Sequence, residues 1–174
     1  MSSMIPTSPR RKIRLLFACS GWPSGVLEVA SWAQTSGLAE AIVVQLQPGQ
    51  RDEARLLARL VAFRPHVVGC RIEGGGFDDV CRLVAAVRAC CDAEIVLGGP
   101  TATSHPCDVL AGCGADYVFA GEAEETFAQF LRLAQTHNSR DRAAEIPGLA
   151  YSYYSTICQN RPGGRKDIPW RRGL

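Results

Sequence analysis

Residues 95–100 read IVLGGP and residues 116–127 read DYVFAGEAEETF, and these two stretches decide the fold. Each begins as a short apolar strand that stops abruptly at glycine, and the second runs directly into an acidic helix start. Because one strand–helix unit separates them, the two strands are predicted to be neighbours in a parallel sheet. Ligands bind at the carboxyl edge of open α/β sheets, and glycine lets the backbone approach a ligand closely there.

The rest of the chain alternates strands and helices in the same way. Continuous apolar strand cores are typical of parallel strands that are covered on both faces, and right-handed crossovers between such strands give a doubly wound sheet. We therefore predict an α/β fold with a five-stranded parallel sheet of flavodoxin-like (Rossmann-like) order 2-1-3-4-5. The predicted strands span residues 13–19, 41–46, 66 to 71 or 72, 94–97 and 117–120, and the predicted helices span residues 25–36, 52–63, 77–90, 107–112 and 124–135.

The character of the sequence changes near residue 137. Residues 13–136 are predicted to form the α/β domain, after a flexible N-terminus at residues 1–12. Residues 137–174 are predicted to form a short C-terminal extension. It contains a turn into one more short strand at residues 146–151, and it ends in a linker-like basic tail rich in Gly, Pro and Arg.

Composition excludes several classes of protein. The 174 residues are 47% apolar, which is too high a fraction for a disordered chain. A formal net charge of +2 gives no indication of a nucleic-acid or membrane partner, and no stretch approaches the roughly 20 apolar residues that span a bilayer. The basic start before residues 13–18 resembles a signal peptide, but that apolar run is too short and has a strand pattern. We therefore expect a cytoplasmic protein.

The cysteines are predicted to be structural rather than catalytic or metal-binding. No pair of the eight has C-x-x-C spacing. In a reducing compartment, cysteines within apolar patterns act as small hydrophobic residues, as expected for Cys19, Cys70, Cys81 and Cys90. Cys107 and Cys113 are the predicted exposed thiols.

Four stretches, in this order and spacing, resemble a known family. They read RPHVVG at residues 64–69, IVLGGPTAT at 95–103, GADYVFAGEAEETF at 114–127 and IPGLAY at 146–151. Together they are similar to the cobalamin-binding domain found at the N-terminus of cobalamin-dependent radical S-adenosylmethionine enzymes. The resemblance covers roughly residues 13–155 and implies cobalamin as the cofactor.

The resemblance also implies where the cofactor binds. In this family the nucleotide tail of cobalamin inserts beside the carboxyl edge of the sheet. Gly98, Gly99 and Gly121 would give it clearance, although a plain tight turn is the other explanation of the Gly98-Gly99 pair. Glu122 either hydrogen-bonds the tail or starts the helix. The predicted cofactor-binding residues are Ser20, Gly21, Trp22, Arg71, Glu73, Gly74, Gly98, Gly99, Pro100, Thr101, Gly121 and Glu122.

Three departures from the family pattern bear on this site. Classical cobalamin carriers place D-x-H-x-x-G after the first strand, and its His ligates cobalt, whereas residues 20–25 here read SGWPSG. The cofactor is therefore expected to be base-off and without a protein His ligand, and Trp22 either packs on the lower corrin face or anchors the loop. Arg71, followed by Glu73, replaces a small hydroxyl residue, and it either clashes with the tail or contacts its phosphate. Ala123 replaces a usual glycine, which is a mild change.

The expected function follows from the resemblance. Family members use cobalamin mainly for methyl transfer, and their catalytic chemistry needs an iron–sulfur cluster held by three cysteines. This sequence has no C-x-x-x-C-x-x-C motif, and its three histidines have no metal-ligand spacing. It is expected to be a carrier, a subunit or a fragment of a radical S-adenosylmethionine methyltransferase-type system, with the catalytic domain or protein as a separate partner. The alternative is a cofactor-free flavodoxin-like module for protein interaction.

Of two other functions of this fold, one is excluded by residue type and the other is disfavoured. A phosphoacceptor receiver needs an acidic pair after the first strand and an Asp after the third, where Cys19, Ser20 and Arg71 stand. A flavin phosphate loop would be rich in Ser and Thr, and residues 20–25 offer only Ser20 and Ser24.

Overall fold

The structure is a computed structural model that describes residues 12–20, 23–46, 50–74, 76–136 and 139–161. Strands and helices alternate along most of it, as the sequence predicts. The strands are β1 (Ile13–Ser20), β2 (Ala39–Leu46), β3 (Val67–Arg71), β4 (Glu94–Gly98), β5 (Tyr117–Phe119), β6 (Leu149–Tyr153) and β7 (Thr156–Gln159). The α-helices are α1 (Ser24–Thr35), α2 (Gln50–Phe63), α3 (Phe77–Cys90), α4 (Pro100–Ser104), α5 (Pro106–Cys113) and α6 (Glu124–Ala134), with a 3₁₀ turn at Ala143–Glu145.

The described strands form one sheet of order β2-β1-β3-β4-β5-β6-β7. The predicted order 2-1-3-4-5 holds for the first five strands, which are parallel. The predicted count of five was wrong, because β6 and β7 continue the same sheet in antiparallel pairing. The connection between β6 and β7 is too short for a parallel crossover, because a two-residue turn at Tyr154 and Ser155 joins the two strands.

Each face of the sheet is covered by helices and carries its own core. Side chains alternate along β1, so that Leu15 and Phe17 pack on one face and Leu16 and Ala18 on the other. The first face packs against α1 and α6, and the second against α2, α3 and α5. Within the described part of the chain, none of these helices is long and apolar enough to cross a membrane.

Aromatic rings fill the core on the α1–α6 face. Phe127 of α6 lies 5.8 Å from Phe17 and 5.5 Å from Phe119 between ring centroids. Phe130, one turn further along α6, packs edge-on against Tyr117 at 5.1 Å. These contacts fix α6 against β1 and β5, and they set how far its first turn stands from the sheet.

All eight cysteines are free. Cys19 and Cys70 are buried, as predicted, and burial raises the pKa of the Cys70 thiol to about 12. Two expectations were wrong: Cys113 is buried and Cys90 is exposed. The reason is helical phase, because Cys113 ends α5 on the side that faces the sheet, whereas Cys90 ends α3 in solvent.

A half-buried carboxyl group lies at the amino edge of the sheet, far from the strand–glycine exits. Glu94 Oε1 accepts hydrogen bonds from Ser139 Oγ at 2.5 Å and from the Tyr117 hydroxyl at 3.3 Å. Burial raises the pKa of Glu94, and the nearby Asp116 carboxylate adds to the rise, while the Ser139 hydrogen bond opposes it. Folding therefore favours the protonated form of Glu94.

We expect Glu94→Gln to stabilise the protein at neutral and alkaline pH. The contribution of Glu94 is fully favourable below the ordinary carboxyl pKa and is lost as pH rises through its raised pKa, whereas Gln keeps the acceptor without a charge. Thermal unfolding of both proteins from pH 4 to pH 8 checks this. The gap in melting temperature should open as pH rises. The exposed Glu40 gives the control, because Glu40→Gln should show no such widening.

Candidate functional site

Three neighbouring parallel strands, β3, β4 and β5, end at the carboxyl edge of the sheet. Arg71, the last residue of β3, pairs in register with Gly98, the last residue of β4. Two residues earlier, Gly69 pairs with Val96. All four side-chain positions lie on the face that packs against α1 and α6, because residues two apart in a strand share a face. Gly98 leaves open space above the sheet in that block, because a Cβ atom there would meet no atom within 4 Å.

A cavity of about 180 Å³ opens over this part of the sheet edge. We name it the α1–α6 cavity. Its floor is the sheet, one wall is the start of α1, and the other is the chain from β5 into α6. It is lined by Phe17, Gly25, Val26, Val29, Gly69, Cys70, Arg71, Val96, Leu97, Gly98, Gly99, Phe119, Gly121, Glu122, Ala123, Glu124 and Phe127.

Gly98 leaves space in this cavity, and the packing of its neighbours does not require a glycine at this position. A Cβ atom built on Gly98 would meet no atom within 4 Å, and the residue is not among those with a positive φ. Gly69 differs, since a Cβ there would lie 2.3 Å from the Phe17 ring, which already fills that space. Of these two floor glycines, only Gly98 leaves unfilled room.

Gly99 is required by the fold itself. Its φ is +110° and its ψ is −179°, a conformation that is essentially restricted to glycine. A Cβ atom at this position would lie 2.6 Å from the backbone oxygen of Ile72. A backbone hydrogen bond also joins the segments that leave β3 and β4: the N–H of Ile72 donates to the Gly98 carbonyl at 2.8 Å.

Thr103 of α4 links the two strand–glycine exits. Its hydroxyl donates to the Gly99 carbonyl at 3.0 Å and accepts from the N–H of Gly121, also at 3.0 Å. Gly121 has a φ of +91°, and a Cβ there would meet nothing within 4 Å. The helix that carries Thr103 begins with Pro100 at its first position, where proline is well tolerated. This short helix was not predicted from the sequence.

Arg71 lies across the mouth of the α1–α6 cavity. Its Cγ is 3.1 Å from a Cβ built on Gly99, and its guanidinium Nη1 is 2.7 Å from one built on Gly25 of α1. Its Nη2 pairs with Glu73 Oε1 at 3.3 Å, while its Nε is buried without a hydrogen-bond partner. A partly exposed ion pair of this kind holds a side chain weakly, by about 0–1 kcal/mol. The guanidinium is therefore able to exchange partners.

A second polar atom in the cavity wall is also unsatisfied. Glu124, the first residue of α6, buries its Oε2 without a hydrogen-bond partner. Buried polar atoms nearly always have a hydrogen-bond partner, so an unpartnered donor and an unpartnered acceptor in the lining of one cavity are notable. Together they give an apolar cavity two polar contacts of opposite sign.

The predicted site residues divide into three groups. Those that line the α1–α6 cavity are Arg71, Gly98, Gly99, Gly121 and Glu122. Those that lie outside its lining are Glu73, Gly74, Pro100 and Thr101. Gly21 and Trp22 lie outside the described residues, as does the side chain of Ser20.

The walls of the cavity were missed by sequence reasoning. The α1 wall consists of Gly25, Val26 and Val29, and the α6 wall includes Glu124 and Phe127. These residues read as ordinary helix residues. A usable signal did exist on the floor, since Gly69 interrupts an apolar strand, and glycine inside a strand often marks a close approach of another group.

The described residues offer no metal centre. None of their His, Cys, Asp and Glu side chains form a group of three that could hold a metal ion. His66 lies at the amino edge of the sheet, where its Nδ1 accepts from the N–H of Arg14 at 2.9 Å. His105 is exposed between α4 and α5, and neither histidine lines the α1–α6 cavity. His137 lies outside the described residues.

The sequence profile of the B12 binding domain family matches residues 21–131. The match runs from the loop after β1 to the middle of α6 and so includes most of the α1–α6 cavity. No curated protein sequence matches the chain.

Solved structures share this fold. The radical S-adenosylmethionine methyltransferase TsrM from Kitasatospora setae, with cobalamin and a [4Fe-4S] cluster bound, aligns with a TM-score of 0.74 and 16% identity over 91% of this chain and 30% of its own. The cobalamin-dependent S-adenosylmethionine radical enzyme OxsB, with aqua-cobalamin and S-adenosylmethionine bound, aligns with a TM-score of 0.71 and 12% identity over 88% of this chain and 23% of its own. The chain thus spans less than a third of either enzyme.

Alanine at the two adjacent glycines should separate their roles. We expect Gly99→Ala to destabilise the fold by roughly 1–3 kcal/mol or more, because its φ is positive and its Cβ meets the Ile72 backbone. Gly98→Ala should change stability by no more than about 0.5 kcal/mol, since its Cβ points into open space. Chemical denaturation of both variants measures the difference, and equal destabilisation would contradict these distinct roles.

Proposed function

The chain belongs to the B12 binding domain family, and on this premise we propose that it binds cobalamin, with the nucleotide tail of the cofactor in the α1–α6 cavity. The observation that carries the proposal is the open space over Gly98. Neither backbone conformation nor packing requires glycine there, and the open space over it gives room for a ligand.

The size of the cavity fits a part of the cofactor rather than the whole. A volume of about 180 Å³ is below the roughly 300–1,000 Å³ of sites that enclose a drug-sized molecule. It suits the benzimidazole and ribose of a nucleotide tail, and the corrin ring would then lie outside, across the carboxyl edge of the sheet.

The chemistry of the lining fits such a tail as well. Phe17, Phe119 and Phe127 provide aromatic and apolar surface for the base. Arg71, Glu122 and Glu124 provide polar groups where the strands end. The residues that would hold the tail are thus the glycines of the floor, the aromatic residues and these three charged side chains.

A tail in this cavity implies the base-off form of the cofactor, because the base cannot occupy the cavity and ligate cobalt together. We propose that no histidine of this chain replaces it, since His66 and His105 do not line the cavity and residues 20–25 contain no histidine.

The chain is proposed to serve as the cofactor-holding part of a radical S-adenosylmethionine methyltransferase-type system. Cobalamin would supply a site that accepts and donates a methyl group, and the role of this chain would be to bind and orient it. An iron–sulfur cluster needs cysteine ligands, and the described residues hold no such group. A catalytic domain or protein beyond the described residues is therefore proposed as the partner.

Titration with hydroxocobalamin, followed by desalting and a visible spectrum, tests the proposal. The wild-type protein should retain the chromophore with a base-off spectrum. Gly98→Leu should abolish retention by filling the cavity, and Gly98→Ala should reduce it less, while circular dichroism shows both variants folded. Loss of the chromophore from folded wild-type protein would favour the cofactor-free interaction module instead. Retention unchanged in Gly98→Leu would place the tail elsewhere.

We expect Arg71→Met to weaken binding of hydroxocobalamin roughly 10- to 100-fold, which is the effect of losing one hydrogen bond from a charged donor. The guanidinium has an unpartnered Nε, and the phosphate and amide oxygens of the cofactor are suitable acceptors. Fluorescence titration measures the affinities, with Glu73→Gln as a control that removes only the ion-pair partner of Arg71. Tighter binding by Arg71→Met would mean that the side chain closes the cavity instead.

A further inference from the structure

One carboxylate oxygen of Glu124 is buried and has no hydrogen-bond partner among the described residues, which lowers the stability of the folded protein. A buried polar atom that lacks a hydrogen bond destabilises the folded state, and Oε2 of Glu124 is such an atom. Glu124 also lines the α1–α6 cavity, on the same wall as Phe127.

The position of Glu124 in its helix does not explain the burial. Acidic residues favour the first turn of a helix because of its dipole, and α6 has two there, Glu124 and Glu125. Glu125 is exposed, so a carboxylate can occupy this turn without entering the cavity. Glu124 does not cap the helix either, since the N-cap position is Ala123 and no side-chain cap bond forms.

The walls around Glu124 offer it no compensating charge. On its outer side it borders a groove along α1 lined by Leu27, Glu28, Ser31, Trp32 and Thr35. Glu28 is a like charge, and the Thr35 hydroxyl donates to the backbone of its own helix. Arg71 lines the same cavity, but its ion pair is with Glu73. No described residue donates a hydrogen bond to Oε2, and the adjoining interior of the cavity is where a bound group can supply one.

We infer that Glu124 accepts a hydrogen bond from a ribose hydroxyl of the cobalamin nucleotide tail. This inference rests on the proposed function. Among the groups of the nucleotide, the phosphate is an anion that a carboxylate repels, and the base is an aromatic ring with an acceptor nitrogen. The ribose hydroxyls are its neutral donors. A base packed against Phe127, one turn further along α6, would leave the sugar near Glu124.

The experiment compares two ligands and two adjacent positions. Hydroxocobalamin carries the nucleotide, whereas aquacobinamide has the same corrin and amide side chains but lacks phosphate, ribose and base. Glu124→Ala removes the proposed acceptor. Glu125→Ala is the matched control, because it removes the same charge from the same helical turn at an exposed position.

Glu124→Ala should weaken hydroxocobalamin binding roughly 10- to 100-fold, as expected for a hydrogen bond to a charged acceptor, and should leave aquacobinamide binding unchanged. Glu124→Gln, which keeps a neutral oxygen acceptor, should lose less. Glu125→Ala should bind both ligands like the wild type. Without ligand, Glu124→Ala should melt no lower than Glu125→Ala, because the buried oxygen has no partner to lose.

Three outcomes would overturn the inference. In the first, Glu124→Ala binds hydroxocobalamin as tightly as the wild type. In the second, it weakens both ligands equally, which points to the corrin or its amides. In the third, it melts well below Glu125→Ala, which assigns Glu124 a structural role. If the wild-type protein binds neither ligand, the proposed function itself fails, and that result is distinct from the three above.

Discussion

The segments that leave β3 and β4 approach each other closely, and this contact determines the shape of the carboxyl edge of the sheet. Where β3 and β4 end, the backbone of Ile72 passes so near Gly99 that a Cβ atom would lie 2.6 Å from the Ile72 oxygen. The backbone hydrogen bond from Ile72 to Gly98 holds the two segments at that distance. Only glycine can turn the chain out of β4 there, and that turn starts α4 at the point from which Thr103 reaches both Gly99 and Gly121. The mouth of the α1–α6 cavity depends on this one contact.

The glycines around the cavity look alike in the sequence but have different physical reasons to be glycine. Gly99 is needed for backbone clearance, and Gly121 for a positive φ. Gly69 makes room for the Phe17 ring, so its missing side chain is replaced by protein. Gly98 alone of the four has neither a positive φ nor a neighbour within 4 Å of its Cβ position. A glycine that the fold does not require is the informative one for binding, and no sequence pattern separates it from the others.

Local patterns predicted most of the fold, because each strand and helix is encoded by its own residues. The boundaries of α3 and the parallel order of β1 to β5 follow from apolar runs and crossover rules. Features that depend on contacts between distant segments were harder to predict from the sequence. The hairpin strand β7 has exposed residues and no apolar alternation, and its pairing with β6 determines it. Likewise the α1 and α6 walls of the cavity are ordinary amphipathic helix residues until the aromatic contacts of Phe127 set their spacing. Arg71 was recognised as unusual, but the unpartnered oxygen of Glu124 is visible only in three dimensions.

The small volume of the cavity has a consequence for the proposed function. Since about 180 Å³ holds only the tail of a cobalamin, the reactive face of the corrin would be left uncovered by the described residues. A carrier with this geometry would fix the position of its cofactor through the tail and leave the chemistry to whatever covers the other face. The polar contacts agree with such a division, because Arg71 and Glu124 lie in the lining of the cavity and are placed to orient the tail rather than to react. If the proposed function holds, the specificity of the chain would be for the nucleotide, and the selection of a substrate would belong to the proposed partner.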